Sequence, residues 1–244
     1  MKRCLTSCLL AVLLPAGAAR ADTVTEFPTP VGSRQALVCQ PAGAGPFPAV
    51  VFNHPSIVDG LGVQGAAARG YDLMGFCEAL AKEGYLAFLP IREAAPMGQG
   101  FDSYKEDYPA VATAALDHVK TLPGADPRRI ALMGFSMGGL TSVAAAPGRT
   151  DLKALVLLAP AAGRGKIREA VKEIPRLGAP VLLLVEQGDA RPILFGVSLL
   201  EEELKKHGKE ARVIRYSGGG GHRFFYTVGP FWADVTAFLK EKMR

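Results

Sequence analysis

Arg129-Ile130-Ala131-Leu132-Met133-Gly134-Phe135-Ser136-Met137-Gly138-Gly139-Leu140 is the stretch on which the fold turns. Residues 129–133 read as a short buried strand, and 138–146 as a helix of small and apolar residues. Between them stands Gly-x-Ser-x-Gly, with Ser136 at its centre. A strand that passes into a helix over so few residues must turn sharply. Side chains at 134 and 138 would obstruct that turn, which accounts for the glycines. The turn lifts the Ser136 hydroxyl above the sheet. The helix N-terminus then aims unpaired N–H groups at any negative charge forming there. Ser136 is therefore the candidate nucleophile.

The flanking sequence alternates strand and helix. Residues 48–53, 85–89, 154–158, 181–185 and 211–216 are short apolar or β-rich runs. Residues 72–83, 105–121, 166–174, 196–207 and 230–242 carry helical spacing; Leu73, Phe76, Cys77 and Leu80 are one such stripe. Residues 23–39 add one or two edge strands. Apolar strands separated by helices predict an α/β fold, a mostly parallel sheet with helices on both faces. Ligands of such sheets bind beyond the carboxyl ends of the strands. Segments 57–70 and 91–103 follow strands and are rich in small residues. They are expected to shape the pocket, with Tyr71, Arg92 and Phe101 as wall residues.

Composition narrows the classes further. The chain has 244 residues and a net charge of +5, with 28 Gly and 4 Cys. Four Cys are far too few for a disulfide scaffold, and the length supports a core without one. Met1-Lys2-Arg3, the apolar run from Cys4 to Leu14, and Ala19-Arg20-Ala21 follow the order of a secretory signal peptide. Cleavage is expected after Ala21, leaving a single domain over 22–244 that is periplasmic or secreted. The apolar run is too short to span a bilayer, so no stable membrane anchor is expected. Removing Lys2, Arg3 and Arg20 lowers the net charge from +5 to about +2. With no basic block left, nucleic acid is not an expected partner. Cys39 and Cys77 remain in an oxidising compartment, either as a disulfide or as two buried thiols. No CxxC, HExxH or GxGxxG pattern points to a metal or a nucleotide cofactor.

A serine hydroxyl needs a base, and a histidine base needs a carboxylate to hold its tautomer. Glu186-Gln187-Gly188-Asp189 follows the strand 181–185, and Ser217-Gly218-Gly219-Gly220-Gly221-His222 follows 211–216. The order Ser136, Asp189, His222 is that of nucleophile, acid and base in one hydrolase class. Glu186 is the rival acid. His118 and His207 fall on helices and His54 precedes the serine, so His222 is the base by order and elimination. The four glycines suit a mobile loop that brings it over Ser136.

Gly-Phe-Ser-Met-Gly-Gly after Pro127-Arg128-Arg129-Ile130, followed by Asp189 and His222, resembles the dienelactone hydrolase family of the α/β-hydrolase superfamily. The resemblance runs over about residues 45–240. It implies an eight-stranded sheet and hydrolysis of esters or lactones. Type members carry Cys where this chain has Ser136, which shifts the expectation toward an exported serine esterase acting on a small-molecule ester. A lactone hydrolase, a small peptidase and a non-catalytic binding protein of the same fold are the alternatives. Only 160–166 separate a strand from its helix where many relatives insert a cap, so no large cap is expected. The oxyanion hole needs two donors. One is the backbone N–H of Met137. The other comes from His54-Pro55-Ser56, where many relatives have His-Gly. Pro55 lacks an N–H, which leaves the N–H of His54 or, preferably, of Ser56, or a side chain.

Overall fold

The computed structural model describes residues 20–92, 105 and 107–244. Most of the expected signal peptide (1–19), Phe101 and most of segment 91–103 lie outside the described residues. Eight strands form one sheet. They are β1 (Arg20–Phe27), β2 (Arg34–Gln40), β3 (Phe47–Asn53), β4 (Leu86–Pro90), β5 (Ala125–Phe135), β6 (Leu152–Leu158), β7 (Val181–Glu186) and β8 (Ala211–Tyr216). Their spatial order is β1-β2-β4-β3-β5-β6-β7-β8. The pairs β1–β2 and β2–β4 are antiparallel, and every pair from β4 to β8 is parallel. Among the described residues seven α-helices accompany the sheet: α1 (Ser56–Ala67), α2 (Leu73–Lys82), α3 (Tyr108–Val119), α4 (Met137–Ala145), α5 (Lys166–Ala170), α6 (Arg191–Lys206) and α7 (Trp232–Lys242).

Strands β4 and β7 are buried along their whole length, as continuous apolar runs between helical layers must be. The outer strand β8 is half exposed and carries Arg212 and Arg215. From β3 the chain goes first to β4 on one side, then crosses to β5 on the other. In sheets of this kind ligands bind at that reversal, beyond the carboxyl ends of the strands, here those of β3 and β5. His54 and Ser136 follow directly at those two ends. Between β6 and α5 lie only residues 159–165 and one short 3₁₀ turn, with no large cap.

Two segments depart from the sequence reading. Residues 57–70 hold α1, kinked at Gly62 (φ 69°, ψ 175°). Its glycines weaken helical propensity and its periodicity is faint. Burial of Val58, Asp59 and Ala66 supplies the stabilisation that local sequence lacks. Helix α6 begins at Arg191, five residues before the expected 196. Pro192 reads as a breaker, yet it sits in the first turn, where a missing N–H costs nothing. Cys39 of β2 and Cys77 of α2 are joined as a disulfide, with Cα atoms 5.6 Å apart.

Candidate active site

Strand β5 and helix α4 meet at Ser136, whose φ of 54° and ψ of −117° are unusual for a residue with a side chain. Such a conformation costs about 1–3 kcal/mol and persists only where its surroundings enforce it. The Ser136 N–H donates to the Leu158 carbonyl at 2.9 Å. The Ser136 carbonyl accepts from Ala161 N–H at 2.8 Å and Leu140 N–H at 3.0 Å. The end of β6 and the loop after it thus hold the turn at both its N–H and its carbonyl. A Cβ at Gly134 would overlap the Gly138 carbonyl, and one at Gly138 would overlap the Asn53 carbonyl. The two glycines are therefore required by backbone contact, as the tight turn predicts.

The acid loop follows β7. Asp189 is buried, and its Oδ2 lies 2.8 Å from His222 Nδ1. Its Oδ1 accepts the Ala190 N–H at 2.7 Å. The contact implies that Nδ1 carries the proton and donates it, which leaves Nε2 as the basic nitrogen. His222 sits on a 3₁₀ turn (Gly221–Phe225), its side chain 29% exposed against 0% for Asp189. Its ring lies over Phe135, the residue before Ser136, with centroids 4.8 Å apart. No hydrogen bond joins Ser136 Oγ to His222 among the described residues, and in unliganded sites such bonds commonly tighten only with substrate.

Glu186, the rival acid, faces elsewhere. It accepts N–H groups from Gly188, Gly219 and Gly221 and does not touch the imidazole.

Ser56 opens α1 and Met137 opens α4, so both are first-turn residues whose N–H groups lack intrahelical partners. Pro55 is the N-cap of α1 in an extended conformation, and its carbonyl accepts the Val58 N–H at 3.1 Å. A cap position does not need the N–H that proline lacks. The close approach of Gly138 to the Asn53 and His54 carbonyls brings the start of α4 against this loop. Asn53 Nδ2 also donates to Ser142 Oγ of α4 at 2.9 Å.

His54, Tyr71 and Arg92 are all buried. His54 Nε2 accepts the Arg92 N–H at 3.1 Å, which assigns the proton to Nδ1, 3.0 Å from the Pro55 carbonyl. Burial, followed by the Arg92 charge, lowers the His54 pKa to about 4, so the ring is neutral at pH 7. Arg92 pairs with Asp59 through Nε at 3.1 Å and Nη2 at 2.9 Å, and Nη2 donates to the His54 carbonyl at 2.6 Å. The expectation that Tyr71 and Arg92 form pocket walls is therefore corrected. Arg92 braces the loop after β3 from beneath, and Tyr71 lies within an aromatic cluster with Phe76, Phe135 and Tyr226. Asp59 escaped the sequence reading. Its signal was a lone carboxylate in a run of small and apolar residues.

This fold is that of the α/β-hydrolase class. The model of the dienelactone hydrolase family matches residues 35–241, and the chain belongs to that family. No curated protein matches it in sequence. Among solved structures, a candidate dienelactone hydrolase from Klebsiella pneumoniae is 21% identical with a TM-score of 0.67, covering 92% of this chain and 100% of that one. An esterase from Pyrococcus furiosus is 17% identical with a TM-score of 0.68, covering 92% of each chain. Dipeptidyl peptidase 4 of Porphyromonas gingivalis is 17% identical with a TM-score of 0.72, covering 92% of this chain but 36% of the peptidase.

Proposed function

We propose that this protein is an exported serine hydrolase that cleaves carboxylic esters through an acyl-enzyme. The observation that carries the reading is Ser136, held at φ 54°, together with an Asp189–His222 pair 2.8 Å apart whose imidazole packs on Phe135, the residue before Ser136. In this reading Ser136 Oγ attacks the ester carbonyl carbon and its proton passes to His222 Nε2. Asp189 stabilises the imidazolium and holds its orientation. The oxyanion takes hydrogen bonds from the N–H groups of Met137 and Ser56, at the starts of two helices. Collapse breaks the bond to the leaving oxygen, which receives the proton from Nε2. Water then repeats the sequence on the acyl-enzyme and frees Ser136.

Membership of a hydrolase family supports the reaction class. The short loop after β6 suits an open site for small esters. The Cys39–Cys77 disulfide fits the oxidising compartment to which the N-terminal leader points. Ser136→Ala is expected to lower hydrolysis of a short p-nitrophenyl ester by at least about 10⁴-fold while the protein stays folded. A fluorophosphonate probe should label the wild type at Ser136 and leave the variant unlabelled. Activity retained in Ser136→Ala would overturn the reading.

A further inference from the structure

We propose that Glu186 is a positioning residue whose buried carboxylate locks the acid loop to the histidine loop and so sets the Asp189–His222 hydrogen bond. The proposal rests on reading these two residues as acid and base. Glu186 ends β7 and is 2% exposed. Its Oε2 accepts two backbone N–H groups, from Gly188 at 2.7 Å and from Gly221 at 3.0 Å. Gly188 directly precedes Asp189, and Gly221 directly precedes His222. One oxygen atom therefore bridges the residues next to the acid and the base. Oε1 accepts a third N–H, from Gly219 at 3.1 Å.

The glycine run is built around this carboxylate. Gly219, Gly220 and Gly221 have φ of 80°, 93° and 53°, a region that L side chains rarely adopt. In this turn the N–H groups of Gly219 and Gly221 both point at the Glu186 carboxylate. The loop expected from its glycines to be mobile is thus tied down by Glu186. No Lys, Arg or His among the described residues pairs with this carboxylate. Its burial is offset by backbone N–H groups alone, and they come from both loops. Separating the loops would strand a buried charge, so the charge holds them together.

The link is tight at its other contacts too. A Cβ at Gly221 would come within 2.8 Å of the Gly188 carbonyl, and one at Gly188 within 2.9 Å of Glu186 Oε2. Glutamine at 186 would keep the shape of the side chain. It would also turn an amide NH₂ toward donors that need an acceptor. The loops would then shift relative to each other. A misplacement of about 1 Å costs on the order of 100-fold in rate.

The test compares wild type, Glu186→Gln and Glu186→Asp as the full mature chain. Readouts are kcat and KM on a short p-nitrophenyl ester, thermal unfolding, and the far-downfield NMR resonance of the His222 Nδ1 proton shared with Asp189. A folded Glu186→Gln protein should lose about 30- to 100-fold in kcat with KM within about twofold. Its downfield resonance should broaden or vanish. If Glu186→Gln does not fold, Glu186→Asp decides, because it keeps the charge but withdraws it by one methylene. That variant should show an intermediate loss in kcat and a weakened resonance. Either folded variant with wild-type kcat and an unchanged resonance overturns the proposal. Should the wild type resist fluorophosphonate, the hydrolase reading fails, and the resonance still judges the lock by itself.

Discussion

The two flanks of Ser136 bury charge in opposite ways. Beyond β3 and β4, Asp59 meets the guanidinium of Arg92 through two hydrogen bonds, and neutral His54, in the segment that leads to Ser56, accepts the Arg92 N–H. Beyond β7 and β8, Glu186 meets no cation among the described residues and is satisfied by three glycine N–H groups. The first flank is held by side chains whose charges cancel. The second is held by backbone dipoles that converge only when two loops are docked. A side-chain pair tolerates small backbone shifts, since its members can follow each other. A backbone cradle exists in one conformation, which suits the flank where Asp189 is held against His222.

Breaking the first flank should have the largest effect on stability. Arg92→Ala leaves Asp59 buried without its partner and is expected to cost about 3–5 kcal/mol. Urea unfolding would measure it. The double variant Asp59→Asn with Arg92→Met should lose clearly less, because no charge is stranded. Equal losses in the two proteins would show that the brace is not a charge pair.

Acid should weaken the same flank through His54. Its pKa is lowered from 6.5 to about 4 in the folded protein. Between those values the unfolded chain binds more protons than the folded one. Stability from this group is thus full above pH 6.5 and falls as the pH drops toward 4, by about 3 kcal/mol at most. Thermal melts of wild type and His54→Gln over this window should show a shallower slope for the variant.

The smallest effect is expected on the second flank. Gly219→Ala meets no atom within 4 Å but must adopt φ of 80°. The cost should be about 1 kcal/mol in unfolding free energy, with the cradle kept. A loss in kcat larger than the loss in stability would sharpen the contrast between the flanks.

Much of this was legible in the residues. Continuous apolar strands such as Val181–Val185 can be satisfied only between two helical layers, so the α/β class follows from composition and order. Ser136 declared itself through two glycines whose absence of side chains has a local steric cause. Asp189 and His222, singled out by their places after strands, lie 2.8 Å apart. Helix α1 was not legible, because its register is held by Asp59 and Arg92, 33 positions apart in the chain. Arg92 read as a pocket wall for the same reason. A charged residue after a strand looks solvent-facing until its partner is known.

Sequence alone determined the layers of the fold and nominated Ser136, Asp189 and His222 as candidate reactive side chains, since period, turn chemistry and chain order are local properties. Tertiary structure decided what the other buried charges do. Whether Glu186 serves as acid or anchor depends on which atoms reach its two oxygens, and these belong to Gly188, Gly219 and Gly221 on two separate loops. A carboxylate's role is set by the donors around it, and only the folded chain brings those donors together.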